Sequence, residues 1–243
     1  MKKLTFFLLS FFTVFSLMAQ LQMEGPAGDY DISRGVNDAA LYSQMNSDNG
    51  TSYASQEFPD FGNSRLQSAD DFIVPTGGWD IERVEVLSPG NGDPTSTFIV
   101  EIFADNAGIP GVLLHSQIGL PFTEINQLFS IPLTSPIQLA EGHYWISVMI
   151  DQSFSPYGQW YWQPHAGSQI NNEFANQDPD QLLGGTWPVT WGSGSSTIGG
   201  RVSYDFCFAL YGPPPIPISN WAIYFGIFLI GLFVIFRFRR RLA

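Results

Sequence analysis

Apolar side chains recur at every second position through segment after segment of this chain, and that period limits what it can fold into. Phe98, Val100 and Ile102 alternate with Ile99, Glu101 and Phe103, and Tyr144, Ile146, Val148 and Ile150 alternate with Trp145, Ser147 and Met149. Toward the far end Val202, Tyr204, Phe206, Phe208 and Leu210 alternate with Arg201, Ser203, Asp205, Cys207 and Ala209. Successive side chains of a strand point to opposite faces, so each run reads as a half-buried strand, rich in the β-branched and aromatic residues that suit a pleated surface. Turn formers separate the runs: Pro75-Thr-Gly-Gly78, the stretch from Ser88 to Pro94, Asp105-Asn-Ala-Gly108 with Pro110-Gly111, and Glu141-Gly142. Between the two chain ends no window of about ten residues carries a helical stripe. The expectation is an all-β fold, an antiparallel β-sandwich, jelly-roll-like rather than a closed barrel.

The two ends read differently. Lys2 and Lys3 precede an uncharged run from Leu4 to Leu17, short for a bilayer span and well sized for the core of a signal peptide. At the other end Pro213-Pro-Pro-Ile-Pro217 leads into an unbroken apolar run from Trp221 to Phe236, followed by Arg237, Arg239, Arg240 and Arg241. A helix over residues 216–236 is ~31 Å long at about 1.5 Å per residue, enough for a hydrocarbon core of ~30 Å. Trp221 and Tyr224 suit the outer interface, and the arginine cluster marks the cytoplasmic side. The chain thus divides into a signal peptide (1–20), a flexible N-terminal segment (21–37), one β-sandwich domain (38–212), a Pro-rich linker (213–220), a transmembrane helix (216–236) and a basic cytoplasmic tail (237–243). The expected location is the cell envelope, with the sandwich outside the cytoplasmic membrane.

Charge follows the same partition. Six of the ten basic residues sit at the termini, whereas all 22 acidic residues lie between Glu24 and Asp205. The interior holds four arginines, no lysine and a net charge of −18. Nucleic-acid binding, which depends on Lys and Arg neutralising phosphates, is excluded as an expectation. The single cysteine, Cys207, rules out an internal disulfide and reads as a buried, inert thiol.

Catalytic signatures fail on residue type. Without lysine there is no P-loop, and Gly194-Ser-Ser-Thr-Ile198 lacks the closing glycine of a nucleophile elbow. His115, His143 and His165 never stand at zinc-ligand spacing, and His143, next to a turn, reads as a surface or capping residue. Glu101, amid apolar neighbours, is assigned to the solvated face of its strand. The chain is therefore expected not to be an enzyme, a carboxylate-dependent hydrolase being the remaining enzymatic alternative. Structural calcium is the one cofactor with candidate ligands: the oxygen-bearing groups Asp70-Asp71, Asp105-Asn106, Asp178 and Asp180, each of which alone also reads as a turn former. Five aromatic residues, Tyr157, Trp160, Trp162, Trp187 and Trp191, are candidates for stacking on sugar rings. Alternation puts Trp160 and Trp162 on one face and Tyr161 on the other; the same rings equally suit a core.

Several ordered motifs carry a resemblance. Ser68-Ala-Asp-Asp-Phe-Ile-Val-Pro75, Trp79-Asp-Ile81, Phe98-Ile-Val-Glu-Ile-Phe-Ala-Asp-Asn-Ala-Gly-Ile-Pro-Gly111, Leu139-Ala-Glu-Gly-His-Tyr-Trp-Ile-Ser147 and Gly158-Gln-Trp-Tyr-Trp162 resemble an extracellular β-sandwich module of bacterial surface proteins, over about 38–212. The last thirty or so residues resemble the tripartite sorting signals read by exosortase-type enzymes, although Pro217-Ile-Ser-Asn-Trp221 matches neither the Pro-Glu-Pro nor the Leu-Pro-x-Thr-Gly motif. The resemblance implies a fold and a location rather than a reaction. The expected partners are the membrane, a glycan and a sorting enzyme acting on the tail, and a permanent anchor stays open beside cleavage. The functional expectation is a tethered, non-catalytic surface module that binds glycan, with a structural or spacer role as its alternative.

Overall fold

The computed structural model describes residues 24–27, 40–47, 51–90, 92–197, 205–213, 224–225 and 228–230. The chain separates into two compact units, Met1–Pro213 and Pro214–Ala243. In the first, the helical pieces among the described residues are single turns at Pro59–Phe61, Phe154–Tyr157 and Gly194–Thr197. Packed, mainly antiparallel β-sheets make up the rest.

The smaller of the two main sheets orders its strands β2 (Tyr42–Gln44), β15 (Phe208–Tyr211), β6 (Trp79–Leu87), β10 (Leu128–Leu139) and β9 (Thr123–Ile125). The larger sheet runs β14 (Gly192–Ser193), β13 (Ala175–Gln177), β5 (Ser64–Val74), β4 (Gln56–Phe58), β11 (Gly142–Asp151), β7 (Thr97–Asp105) and β8 (Pro110–Leu120). A third, small sheet joins β1 (Glu24–Ala27), β3 (Thr51–Ala54) and β12 (Tyr161–Trp162). β1 falls inside the N-terminal stretch expected to be flexible, and its Glu24 pairs with Tyr53.

The inward registers follow the alternation in the sequence. Phe98, Val100 and Ile102 of β7, Ile146, Val148 and Ile150 of β11, and Phe206, Phe208 and Leu210 around β15 share one core with Val84 and Val86 of β6 and Phe129 and Ile131 of β10. Trp162 stacks on Phe206 with ring centroids 4.6 Å apart. The outward registers depart from the half-buried expectation. Ile99, Glu101 and Phe103, and Trp145, Ser147 and Met149, are buried as well. Part of the reason is a second layer on the outside of the sheet, where Trp191 meets Phe103 edge-on at 5.4 Å beside Ala69, Trp145 and Ala175. Cys207 is a buried free thiol.

Two irregularities shape the sandwich. β5 and β11 pair from Gly142↔Val74 to Ser147↔Ala69 and then part, and β4 enters the gap, antiparallel to β5 and parallel to β11. Ser55 fills the fork: its hydroxyl donates to Val148 O at 2.6 Å and accepts from the Ser68 N–H at 3.4 Å. In β10 the register breaks between Pro132 and Ile137, where two prolines lack the N–H that a ladder needs. The side-chain amide of Gln117 on β8 takes over there, donating to Ser135 O and accepting from Thr134 N–H, each at 2.8 Å.

Of the terminal expectations, the signal peptide, Trp221, Arg237, Arg239, Arg240 and Arg241 lie outside the described residues. Tyr224, Phe225, Phe228, Leu229 and Ile230 are described; all five are helical and exposed. Among the described residues no helix is long and apolar enough to cross a membrane.

The core makes a graded prediction. Trp162 donates its indole N–H to Cys207 O at 2.9 Å, while the buried indole nitrogen of Trp187 has no partner. Trp162→Phe is expected to destabilise by about 1 kcal/mol more than Trp187→Phe, the worth of one hydrogen bond. Trp162→Ala should cost about 3–5 kcal/mol. Urea unfolding of the three variants checks the order.

Candidate functional site

Glu101 is 5% exposed, which corrects the expectation of a solvated residue. It sits opposite Ser147 of β11 and Ser116 of β8, in the outward register of the large sheet. A buried carboxylate needs donors, and Glu101 has them: Gln67 Nε2 at 2.8 Å, and Arg65 Nη1 and Ser116 Oγ at 3.3 Å. Gln67 also donates to Ser147 Oγ at 3.0 Å and accepts from Gln177 Nε2 at 2.7 Å. Arg65 bonds Glu57 in turn. The result is a polar seam across β13, β5, β11, β7 and β8 in which Arg65 supplies the positive charge between two carboxylates.

Further along the same face, Asp71, His143 and Asp105 form a chain. His143 Nε2 lies 2.6 Å from Asp71 Oδ2, and its Nδ1 lies 3.8 Å from Asp105 Oδ1. Asn172 donates to Asp71 Oδ2 from both its backbone N–H at 3.0 Å and its Nδ2 at 2.7 Å. Asp105 accepts from Trp145 Nε1 at 2.9 Å and the Gly108 N–H at 3.2 Å. The imidazole stacks over Trp145. His143 is thus the middle of an acid–base–acid row rather than a cap. Burial lifts the Asp71 carboxyl above its ordinary range, against the Asn172 donors and His143, which favour its charged form.

Asp70, next to Asp71, points inward and joins the two sheets. It accepts from Gln44 Nε2 at 2.7 Å, the Asp71 N–H at 2.9 Å and the Phe206 N–H. Gln44 also donates to Phe206 O at 2.7 Å and accepts from the Tyr42 hydroxyl. Burial first, then repulsion from Asp205, holds the Asp70 carboxyl well above the usual carboxylate range. Asp205 is pushed up to about 7, mainly by burial and also by Asp71, although the Ile170 N–H at 2.6 Å favours its charged form. Burial, with Asp70, Asp205 and Asp71 nearby, raises the Tyr42 phenol too.

The residues proposed for sugar stacking do not converge on a surface. Trp160, Trp162 and Trp187 are buried, the first two in the main core and the third in a cluster with Phe58, Leu66 and Tyr161. Trp191 is partly covered, and only Tyr157, at 52%, stands in solvent. This corrects the picture of an aromatic platform, because facing sheets fill their interior with the largest rings available.

The calcium candidates scatter likewise. Asp70 and Asp71 lie mid-strand on opposite faces rather than in a turn. Asp178 spends both carboxylate oxygens on the Leu182 and Leu183 N–H groups, each at 2.8 Å, and Asp180 accepts from the Arg65 N–H. Asp105 closes the turn that contains Asn106, whose N–H donates to Ile109 O. Among the described residues no three His, Cys, Asp or Glu side chains are arranged to hold a metal ion. Gln44, Gln67 and Asp205 were absent from the sequence-based candidates. Their roles depend on which strands become neighbours, and only the alternation at Asp205, an acid in an apolar strand, hinted at one.

No family model matches the chain, and no curated protein matches it in sequence.

The seam has a measurable signature. Glu101→Ala removes an acceptor from Gln67 and Ser116 and one of the two carboxylates of Arg65, and is expected to destabilise by about 2–3 kcal/mol, where a solvated strand position would lose about 0.5 kcal/mol at most. Chemical denaturation of the variant beside wild type decides between the two.

Proposed function

We propose that this protein is an exported, membrane-tethered, non-catalytic module of the bacterial cell surface, in which a jelly-roll-like sandwich is displayed outside the membrane. The partition of charge carries the reading: a −18 interior between a Lys-flanked apolar start and an apolar run closed by arginines. The strand orders β2-β15-β6-β10 and β5-β11-β7-β8 support the jelly-roll assignment, since two interleaved Greek keys order eight strands this way. The helical state of Tyr224, Phe225 and Phe228–Ile230, all with exposed side chains, supports the anchor helix. Between the two roles for such a module, burial of Trp160, Trp162 and Trp187 favours the structural or spacer role over glycan binding. The residual glycan surface is Tyr157 and Trp191.

Mass spectrometry of the mature protein is expected to find the N-terminus near residue 20 or 21, and a protease of broad specificity, not one restricted to basic residues, is expected to cut the sandwich when added to intact cells. An intact Ala243 selects a permanent anchor; a chain ending before Trp221 selects a sorting enzyme. A protein that keeps Met1 and stays protected in intact cells overturns the proposal. On a glycan array the full chain is expected to bind nothing. Binding that Tyr157→Ala or Trp191→Ala abolishes reinstates the glycan role.

A further inference from the structure

Asp70, Asp71 and Asp205 are all buried, and together they fasten three segments to β5. Asp70 holds the end of β2 through Gln44 and the entry to β15 through the Phe206 N–H. Asp205 holds the Ile170 N–H and Asp71 holds Asn172, so the segment between β12 and β13 hangs on these two carboxyls. The His165 N–H adds a bond to Asp205 O at 2.6 Å, and its ring Nδ1 lies 3.1 Å from Gln44 O. Each fastening uses one oxygen. The other oxygens, Asp71 Oδ1 and Asp205 Oδ1, are buried without a partner among the described residues.

Among the described residues the surroundings offer little positive charge. Tyr42 faces the group from β2, His143 from β11 and His165 from the segment before β13, with Asp105 of β7 behind His143. His143 on Asp71 is the one basic side chain in ion-pair contact with any of the three among the described residues. A buried carboxylate lacking donors or a cation is costly, and two or three near one another are costlier still. A proton removes the charge without needing extra room.

We propose that the carboxyl groups of Asp70, Asp71 and Asp205 form a proton-held latch, which keeps β2, the entry to β15 and the 165–172 segment fastened to β5 in acid and loosens them as the medium turns alkaline. Asp70 and Asp205 bind protons more tightly folded than unfolded. Their contribution to stability is therefore complete below the unfolded value of about 4 and is lost as the pH rises through the folded value, about 7 for Asp205. This is the reverse of the salt-bridged aspartate, which is lost in acid. The latch rests on the sandwich geometry alone and is independent of where the protein resides.

The test follows thermal unfolding of the full chain in detergent micelles between pH 5 and 8.5, with hydrogen exchange of the native state over the same range. Wild type is expected to lose thermal stability from pH 5 to 8, while Asp205→Asn and Asp70→Asn, permanently uncharged, flatten that slope. Exchange in 165–172 and 205–211, corrected for its intrinsic pH dependence, is expected to speed up about tenfold or more by pH 8, while the β7–β11 pairs hold. A wild-type Tm that is flat or rises with pH overturns the latch, as does a slope unchanged in both variants. Exchange that speeds up equally everywhere overturns it too, and this readout on wild type stands even if a variant fails to fold. Calcium ions that restore the pH 5 stability at pH 8 in wild type but not in Asp205→Asn also overturn it, because a metal rather than a proton would then neutralise the group.

Discussion

Burial of the central strands of the large sheet on both faces is the condition from which the rest of this structure follows. A sheet with one wet face leaves its outward polar residues to water. Here the outward registers of β5, β11 and β7 are closed in, so Gln67, Glu101 and Ser147 must satisfy one another, and Arg65 must supply the charge they lack. The same enclosure leaves Asp71 dependent on His143 and Asn172. Polar side chains at these places act as cross-strand fasteners, more specific than apolar contacts because each donor has one correctly placed acceptor.

The sheet is also divided along its length. Toward the β4 end the strands part, and Ser55 substitutes for the missing ladder. Toward the other end, turns and the 170–172 segment close over His143 and the aspartates. Strand splitting opens a gap that hosts a further strand, β4, whose direction matches β11 and opposes β5. Joining β2 and β15 to β5 through Asp70 then ties the smaller sheet to the larger.

Much of this was legible beforehand. The alternation sorts Phe98, Val100 and Ile102, Ile146, Val148 and Ile150, and Phe206, Phe208 and Leu210 each onto one face, and those faces line the core. It also put Trp160 and Trp162 on one side and Tyr161 on the other, as observed. Periodicity is silent on whether the opposite face meets water or another layer, which depends on segments distant in the chain, such as the one carrying Trp191. The burial of Glu101 has no signal in the sequence for that reason. Asp70 and Asp71 were misjudged for another: consecutive aspartates favour turns in isolation, and only the sheet partners Ile146 and Trp145 make them a strand. Gln44 carries no local signal for its place between the sheets, since its amide nitrogen donates to partners 26 and 162 residues away.

The seam has a consequence for digestion. Between residues 40 and 197 the chain has no lysine, and its two arginines, Arg65 and Arg83, both lie within strands. Arg65 is bound to Glu57 and Glu101, and Arg83 lies over the Tyr211 ring at 4.1 Å. A protease specific for basic residues needs an extended, accessible bond, and here its only targets in this span lie within paired strands. The strand that carries Arg65, or the one that carries Arg83, would have to leave its sheet before its bond could enter such an enzyme, so the pairing that holds these strands also guards the backbone from being cut.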